Sequence, residues 1–154
     1  MVLSSRASSR LLLAAALGAA FGALGRTAAG ETASIRDGVF TAEQALRGRA
    51  AYTGPCDRCH GFKLDGAPDD PDMLPAPPVA GPKFLRKWDG RTLAVLFEYV
   101  RTTMPTNNPG YLSDAEVADI VAYMLSASGL PAGDTALSTE PEALASIVIV
   151  SQSP

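Results

Sequence analysis

Both cysteines and the only histidine of this 154-residue chain fall within five consecutive positions, Cys56-Asp57-Arg58-Cys59-His60. Whatever the chain folds into must present two thiols three positions apart with an imidazole beside the second. A structural zinc site needs four ligands, and no further Cys or His exists to complete one. A disulfide between Cys56 and Cys59 would close so small a loop that it stabilises little, and it leaves His60 without a role. A thioredoxin-like redox pair shares the spacing but calls for a βαβ context, and the chain shows no alternating βα pattern.

C-x-x-C-H is also the attachment signature of c-type haem, and that chemistry uses all three residues. Two thiols add across the two vinyl groups on one porphyrin edge. A turn of helix or a tight loop sets Cβ atoms three positions apart at a matching separation, and the adjoining imidazole falls under the iron as proximal ligand. The expected cofactor is one haem c, attached through Cys56 and Cys59 and ligated by His60. A second imidazole is not available, so the other axial position falls to a Met, a Lys amine or nothing. Met124 occupies a helical core position, and Met73 lies 13 residues after His60 in a proline-rich segment. Met104 lies 44 residues after His60, far enough for the chain to reach the other haem face, in a loop stiffened by Pro105. A soft thioether held by a stiff loop keeps ferric and ferrous geometries alike. Met104 is the expected second axial ligand.

Residues 1–29 read as a secretory signal peptide: Arg6 and Arg10 precede an uncharged run of 15 residues, Leu11 to Gly25, followed by small residues around Ala28, Ala29 and Gly30. A helix needs roughly 20 apolar residues to cross a bilayer, so no lasting membrane span is expected. The leader, which includes Met1, implies export to the periplasm. Three of the 13 basic residues and none of the 16 acids precede Gly30, which leaves the rest with ten basic and sixteen acidic side chains, a formal −6. Nucleic-acid binding draws on a basic face and is excluded as the expected function. The charge is uneven, however: Lys83, Arg86, Lys87, Arg91 and Arg101 crowd one segment and Asp65, Asp69, Asp70 and Asp72 another, which suggests a polar docking face.

Thr41 and Gln44 form a capping box that opens a helix over 42–52, interrupted by Gly48, a residue tolerated there only if another element comes close. The segment 63–82 carries Pro68, Pro71, Pro75, Pro77, Pro78 and Pro82 and reads as a long loop that needs a surface to lie on. Leu93, Leu96, Phe97 and Val100 mark a helix capped by Asp89 or Thr92. Ser113 and Glu116 make a second capping box before Val117, Ile120, Val121 and Met124, a helix that ends ahead of Gly129. The stretch 31–39 is polar and expected to be loose, and Ile147 to Val150 reads as a strand or an extended tail.

From Phe40 to Ser128 the sequence resembles the class I bacterial cytochromes c. Gly48-x-x-x-Tyr52-x-x-x-Cys56-x-x-Cys59-His60 matches the family's N-terminal helix leading into the haem motif, and Ile120-x-x-Tyr123 stands where the helix that crosses it would be. The resemblance implies an all-α class I cytochrome c fold, three to five helices around one haem, with a long Pro-rich loop and an extended C-terminal tail. The domain would span residues 30–130 and the tail 131–154. Gly81-Pro82-x-Phe84 resembles the family's Gly-Pro-x-Leu segment, which implies that the Pro82 carbonyl accepts the His60 N–H. Trp88 matches aromatic residues that bond a haem propionate in relatives. The implied function is one-electron transfer, not catalysis, with Leu93, Leu96, Phe97, Val117 and Ile120 drying the pocket. The partners would be redox proteins: a donor dehydrogenase and an acceptor oxidase or other cytochrome. A haem subunit fixed within a periplasmic dehydrogenase, and a ligand-binding or sensor haem protein, are the alternatives.

Overall fold

The computed structural model describes residues 32–72 and 76–152. The leader at 1–29 and Met73 lie outside them. The described chain is helical, with one two-stranded sheet. Helix α1 (Ala42–Tyr52) starts at Thr41, whose hydroxyl accepts the Gln44 amide at 3.1 Å. The single turn α2 (Asp57–His60) carries the Cys/His motif. Helices α4 (Leu93–Thr103) and α5 (Asp114–Ala127) follow the expected apolar stripes. Helix α5 opens on the full capping box: Ser113 Oγ accepts the Glu116 amide at 3.3 Å, and Glu116 Oε2 accepts the Ser113 amide at 2.9 Å.

One helix departs from the sequence reading. The proline-rich loop gives way at Gly81, and Gly81–Trp88 forms α3, burying Phe84, Leu85 and Trp88. Pro82 is compatible with this because it sits in the first turn, where a missing N–H leaves no helical bond unmade.

The framework is the crossing of α1 and α5. A Cβ on Gly48 would run into the Asp119 carbonyl of α5 and come within 2.9 Å of Tyr123 Cβ. The absent side chain lets the two backbones touch, and Tyr52 then packs edge-on against Tyr123 with ring centroids 5.5 Å apart. Arg47 clamps the outside of the crossing with a two-pronged pair to Asp119, both contacts at 2.9 Å.

The ends are better ordered than their composition suggests. Ala33–Ser34 forms β1, paired in parallel with β2 (Ile147–Val148), and Ile35 is fully buried, so the 31–39 stretch is not loose. The tail beyond Pro131 folds back through α6 (Pro141–Ala145) and adds Leu137, Leu144 and Ile149 to the common core. The buried Gln44 amide brackets the Leu137 backbone, donating to its carbonyl at 3.1 Å and accepting its N–H at 2.7 Å. A buried amide satisfied at both ends is a specific tether between α1 and the tail.

Two outcomes are expected. Gly48→Ala gains about 1 kcal/mol of helix propensity but forces a methyl into a backbone carbonyl that cannot rotate away. The net effect should be a loss of about 1–3 kcal/mol in denaturant unfolding, seen as a lower midpoint at unchanged slope. Hydrogen bonds from Ser113 hold the Glu116 carboxyl below its ordinary range. Its contribution is therefore present above the ordinary Glu value of about 4.3 and fades as pH falls through the lower folded value. The stability gap between the natural protein and Glu116→Gln should narrow as pH is taken from about 5 to about 3.

Candidate functional site

The Cys/His turn is fastened at both ends by Tyr52. Its carbonyl accepts the Cys56 amide at 3.1 Å, and its buried hydroxyl donates to the Gly61 carbonyl at 2.9 Å. Burial pushes the Tyr52 hydroxyl above its usual range, so it stays a donor. Inside the turn the Cys56 carbonyl accepts the amides of Cys59 and His60 at 3.2 and 2.9 Å. Asp57 is buried, yet its carboxylate accepts the Gly54 amide at 3.0 Å.

His60 Nδ1 lies 2.8 Å from the Pro77 carbonyl oxygen. A carbonyl only accepts, so Nδ1 carries the proton and Nε2 is left with its lone pair free for a metal. The partner of His60 is therefore Pro77 and not Pro82. Pro82 has been drawn into the first turn of α3, and helical geometry points its carbonyl along the helix axis instead. Pro77 reaches His60 because the proline-rich segment folds back onto residues 61–67: the Leu64 carbonyl accepts the Val79 amide at 2.8 Å. Gly66, at φ +82°, permits the close approach, since a Cβ there would strike the Ala76 carbonyl.

Cys56, Cys59 and His60 open onto one cavity of about 680 Å³, which Trp88, Met104 and Met124 also line. That volume falls within the ~300–1,000 Å³ usual for small-molecule and cofactor pockets. Its walls include Phe84, Leu96, Val100 and Ile120. Of the other residues expected to dry the pocket, Leu93, Phe97 and Val117 are buried in the core and do not line it. Met104 caps the C-terminal end of α4 and is half-buried, its amide bonded to the Val100 carbonyl at 3.0 Å. Met124 is both core and lining, buried on α5.

Trp88, 6% exposed, stacks edge-on with Tyr99 at 5.5 Å, and both rings line the cavity. The Arg91 guanidinium lies 5.4 Å from the centre of the Trp88 ring.

The two cysteines are unpaired, and burial pushes the Cys56 thiol up to about 11, with Asp57 and Cys59 adding to the effect. A redox C-x-x-C needs the opposite shift. An apolar cavity flanked by two free thiols and an imidazole with a free Nε2 suits a flat, iron-bearing macrocycle. Pro77 and α3 were not read from the sequence. The Gly-Pro start of α3 and its Phe84, Leu85 and Trp88 spacing were the available signal.

Residues 43–124, more than half of the chain, match the family described as cytochrome c oxidase, cbb3-type, subunit III. No curated protein matches. Among solved structures, a chain in the crystal structure of the sulfane dehydrogenase SoxCD from Paracoccus pantotrophus is similar in fold, with a TM-score of 0.50 and 22% identity. The match covers 77% of this chain and 61% of that one. The pinned Cys/His turn, its cavity and the family match lead to one conclusion: this chain belongs to the class I c-type cytochromes, within the cbb3-type subunit III family.

Proposed function

We propose that this protein is an exported one-electron carrier holding one haem, covalently attached through Cys56 and Cys59, with His60 and Met104 as axial ligands. The observation that carries the reading is the convergence of two free thiols, His60 and Met104 on a single cavity. A bound haem supplies a one-electron ferric–ferrous couple. Every other part is played by the chain. Pro77 fixes the His60 ring through Nδ1 and raises its basicity. Tyr52 holds the turn that spaces the two sulfurs. Phe84, Leu96, Val100 and Ile120 keep water from the cavity, and a dry wall disfavours added positive charge and so favours the reduced state.

Two described methionines reach the cavity, and their settings favour Met104. Met124 sits mid-helix in α5, its position set by the α1–α5 packing. Met104 sits at a helix end beside Pro105, where backbone geometry is free to serve a ligand. A Met ligand closes the iron, and the chain has no second histidine for acid–base work on peroxide, which supports a carrier over an enzyme or sensor. No helix of the described residues is long and apolar enough to cross a membrane. Export rests on the leader sequence and places the carrier in the periplasm, between a donor dehydrogenase and an acceptor oxidase or cytochrome. The match to an oxidase-subunit family supports a second reading, a relay held within a larger complex. Recovery from periplasmic extract in a stable complex would favour the second reading, and recovery as a free monomer the first.

Periplasmic expression alongside haem-attachment machinery should yield a coloured protein whose haem stays with the chain on a denaturing gel. Cys59→Ala should leave one thioether or none, and full covalent retention in that variant would refute the attachment. Met104→Ala should lower the reduction potential and let carbon monoxide bind the reduced protein at neutral pH, whereas Met124→Leu should do neither. A Met104→Ala protein with unchanged potential and spectrum would remove it as the ligand.

A further inference from the structure

Helix α3 is amphipathic in an unusual sense. Its inner side buries Phe84, Leu85 and Trp88, while Lys83, Arg86 and Lys87, at i, i+3 and i+4, are all exposed. Arg91, also exposed, continues the face past the turn. Between Gly81 and Phe97 the single acid is Asp89, and its carboxylate is already engaged, accepting the Ser151 amide at 2.6 Å. Among the described residues the ion pairs are Arg47–Asp119 and Glu98–Arg101, so none of these four cations is neutralised by one. The chain from residue 30 carries a formal −6, so this is a cationic face on an anionic molecule.

The face is also rigid and close to the cavity. The Gly90 amide donates to the Ile149 carbonyl at 2.9 Å, and the Ile149 amide donates to the Arg91 carbonyl at 2.8 Å, so the tail locks the turn that carries the charges. Lys87 and Arg91 lie 6.0 and 5.4 Å from the centre of the Trp88 ring, whose body lines the cavity beside the 42%-exposed Tyr99. Between the charged exterior and the cavity there is one layer of aromatic side chains.

Building on the carrier reading above, we propose that the α3–Arg91 face docks an acidic surface of the redox partner protein and that electrons cross at the Trp88–Tyr99 edge. Surface charges of this kind steer encounter more than they add affinity, and steering of this sort changes on-rates by about 10- to 1,000-fold. Salt screens it, because the Debye length shrinks from about 30 Å at about 0.01 M to about 8 Å at about 0.15 M.

The test uses the full haem-loaded protein, reduced, with two small oxidants of opposite charge. Hexacyanoferrate(III), an anion, takes one electron from the ferrous protein and becomes hexacyanoferrate(II), leaving the protein ferric with no proton moved. Tris(phenanthroline)cobalt(III), a cation, undergoes the same one-electron reduction. If the basic face governs encounter, the hexacyanoferrate rate falls about 10-fold as salt rises over that range. The net charge alone predicts the reverse, a rate that rises with salt, and that result or a flat profile would overturn the proposal. Lys83→Glu with Arg86→Glu should invert the hexacyanoferrate salt dependence and speed the cobalt reagent. Arg49→Glu, one charge reversal on α1, should leave both within about twofold.

Poly-L-glutamate stands in for the acidic partner face. It should slow hexacyanoferrate oxidation of the natural protein and lose that effect at least 10-fold in the double variant, and equal inhibition of both would also overturn the proposal. Should the double reversal fail to fold, Lys83→Gln with Arg86→Gln gives the same readings with smaller changes. The haem spectrum and a reversible one-electron titration are recorded first. Their loss in the natural protein defeats the carrier reading, whereas their presence with the wrong salt dependence defeats only the docking face.

Discussion

The crossing of α1 and α5 at Gly48 sets everything that follows it in the chain. Contact between the α1 backbone and the Asp119 carbonyl fixes the rotation of α1 about its axis, and that rotation aims Tyr52 at Tyr123 and at the Cys/His turn together. A methyl group in place of that hydrogen would push the helices apart. Tyr52 would then no longer bracket residues 56–61 from both sides, and the spacing of the two thiols would rest on a four-residue helical turn alone. One-turn helices are unstable in isolation because nucleation is unfavourable. The chemistry of the turn thus depends on a tertiary contact eight residues upstream of Cys56.

The second support of the site is a loop that composition alone would leave without structure. Six prolines between 63 and 82 exclude regular elements there, but they also reduce the conformational freedom lost on folding. The loop is held by the Leu64 carbonyl, which accepts the Val79 and Ala80 amides at 2.8 and 3.3 Å, and by the bond from His60 Nδ1 to Pro77. The His60 bond is therefore structural and chemical at once: it pins the loop and it fixes which ring nitrogen faces the cavity. A loop of this length needs a surface to lie on, and residues 61–67 provide part of it.

Much of this architecture was legible in the sequence where the signals are local. The capping boxes at Thr41 and Ser113 placed α1 and α5 correctly because their bonds span three residues. The Cys/His pentapeptide identified the site because its chemistry is confined to five positions. Long-range features were not legible. Helix α3 is eight residues long, too short for a periodic stripe to stand out beside so many prolines. Pro77 reaches His60 by a fold of the loop that no spacing encodes, and the neighbouring Gly-Pro pair pointed to Pro82 instead. Leu137, Leu144 and Ile149 follow neither a helical nor a strand period, so nothing marked the tail as core.

The cavity shows why such a short chain builds so much around one pentapeptide. A dry void of 680 Å³ would cost about 16 kcal/mol at about 24 cal/mol per Å³. Domains have only about 5–15 kcal/mol of stability in total. Even discounted for the open side of the cleft, that cost is too large for a space kept only as packing error. The core is therefore completed by something other than amino acids, and the elements around it divide the work of holding it: α1 and α2 bring the thiols and imidazole, the proline-rich loop fixes that ring, and α3, α4 and α5 supply walls. The tail closes the arrangement from outside. Its bonds to Gly90 and Arg91 tie the start of α4 to β2, and α4 carries Met104 at its far end. A displacement of the tail would be transmitted along a rigid helix of eleven residues to the methionine, which makes residues 131–150 part of the machinery that positions the site.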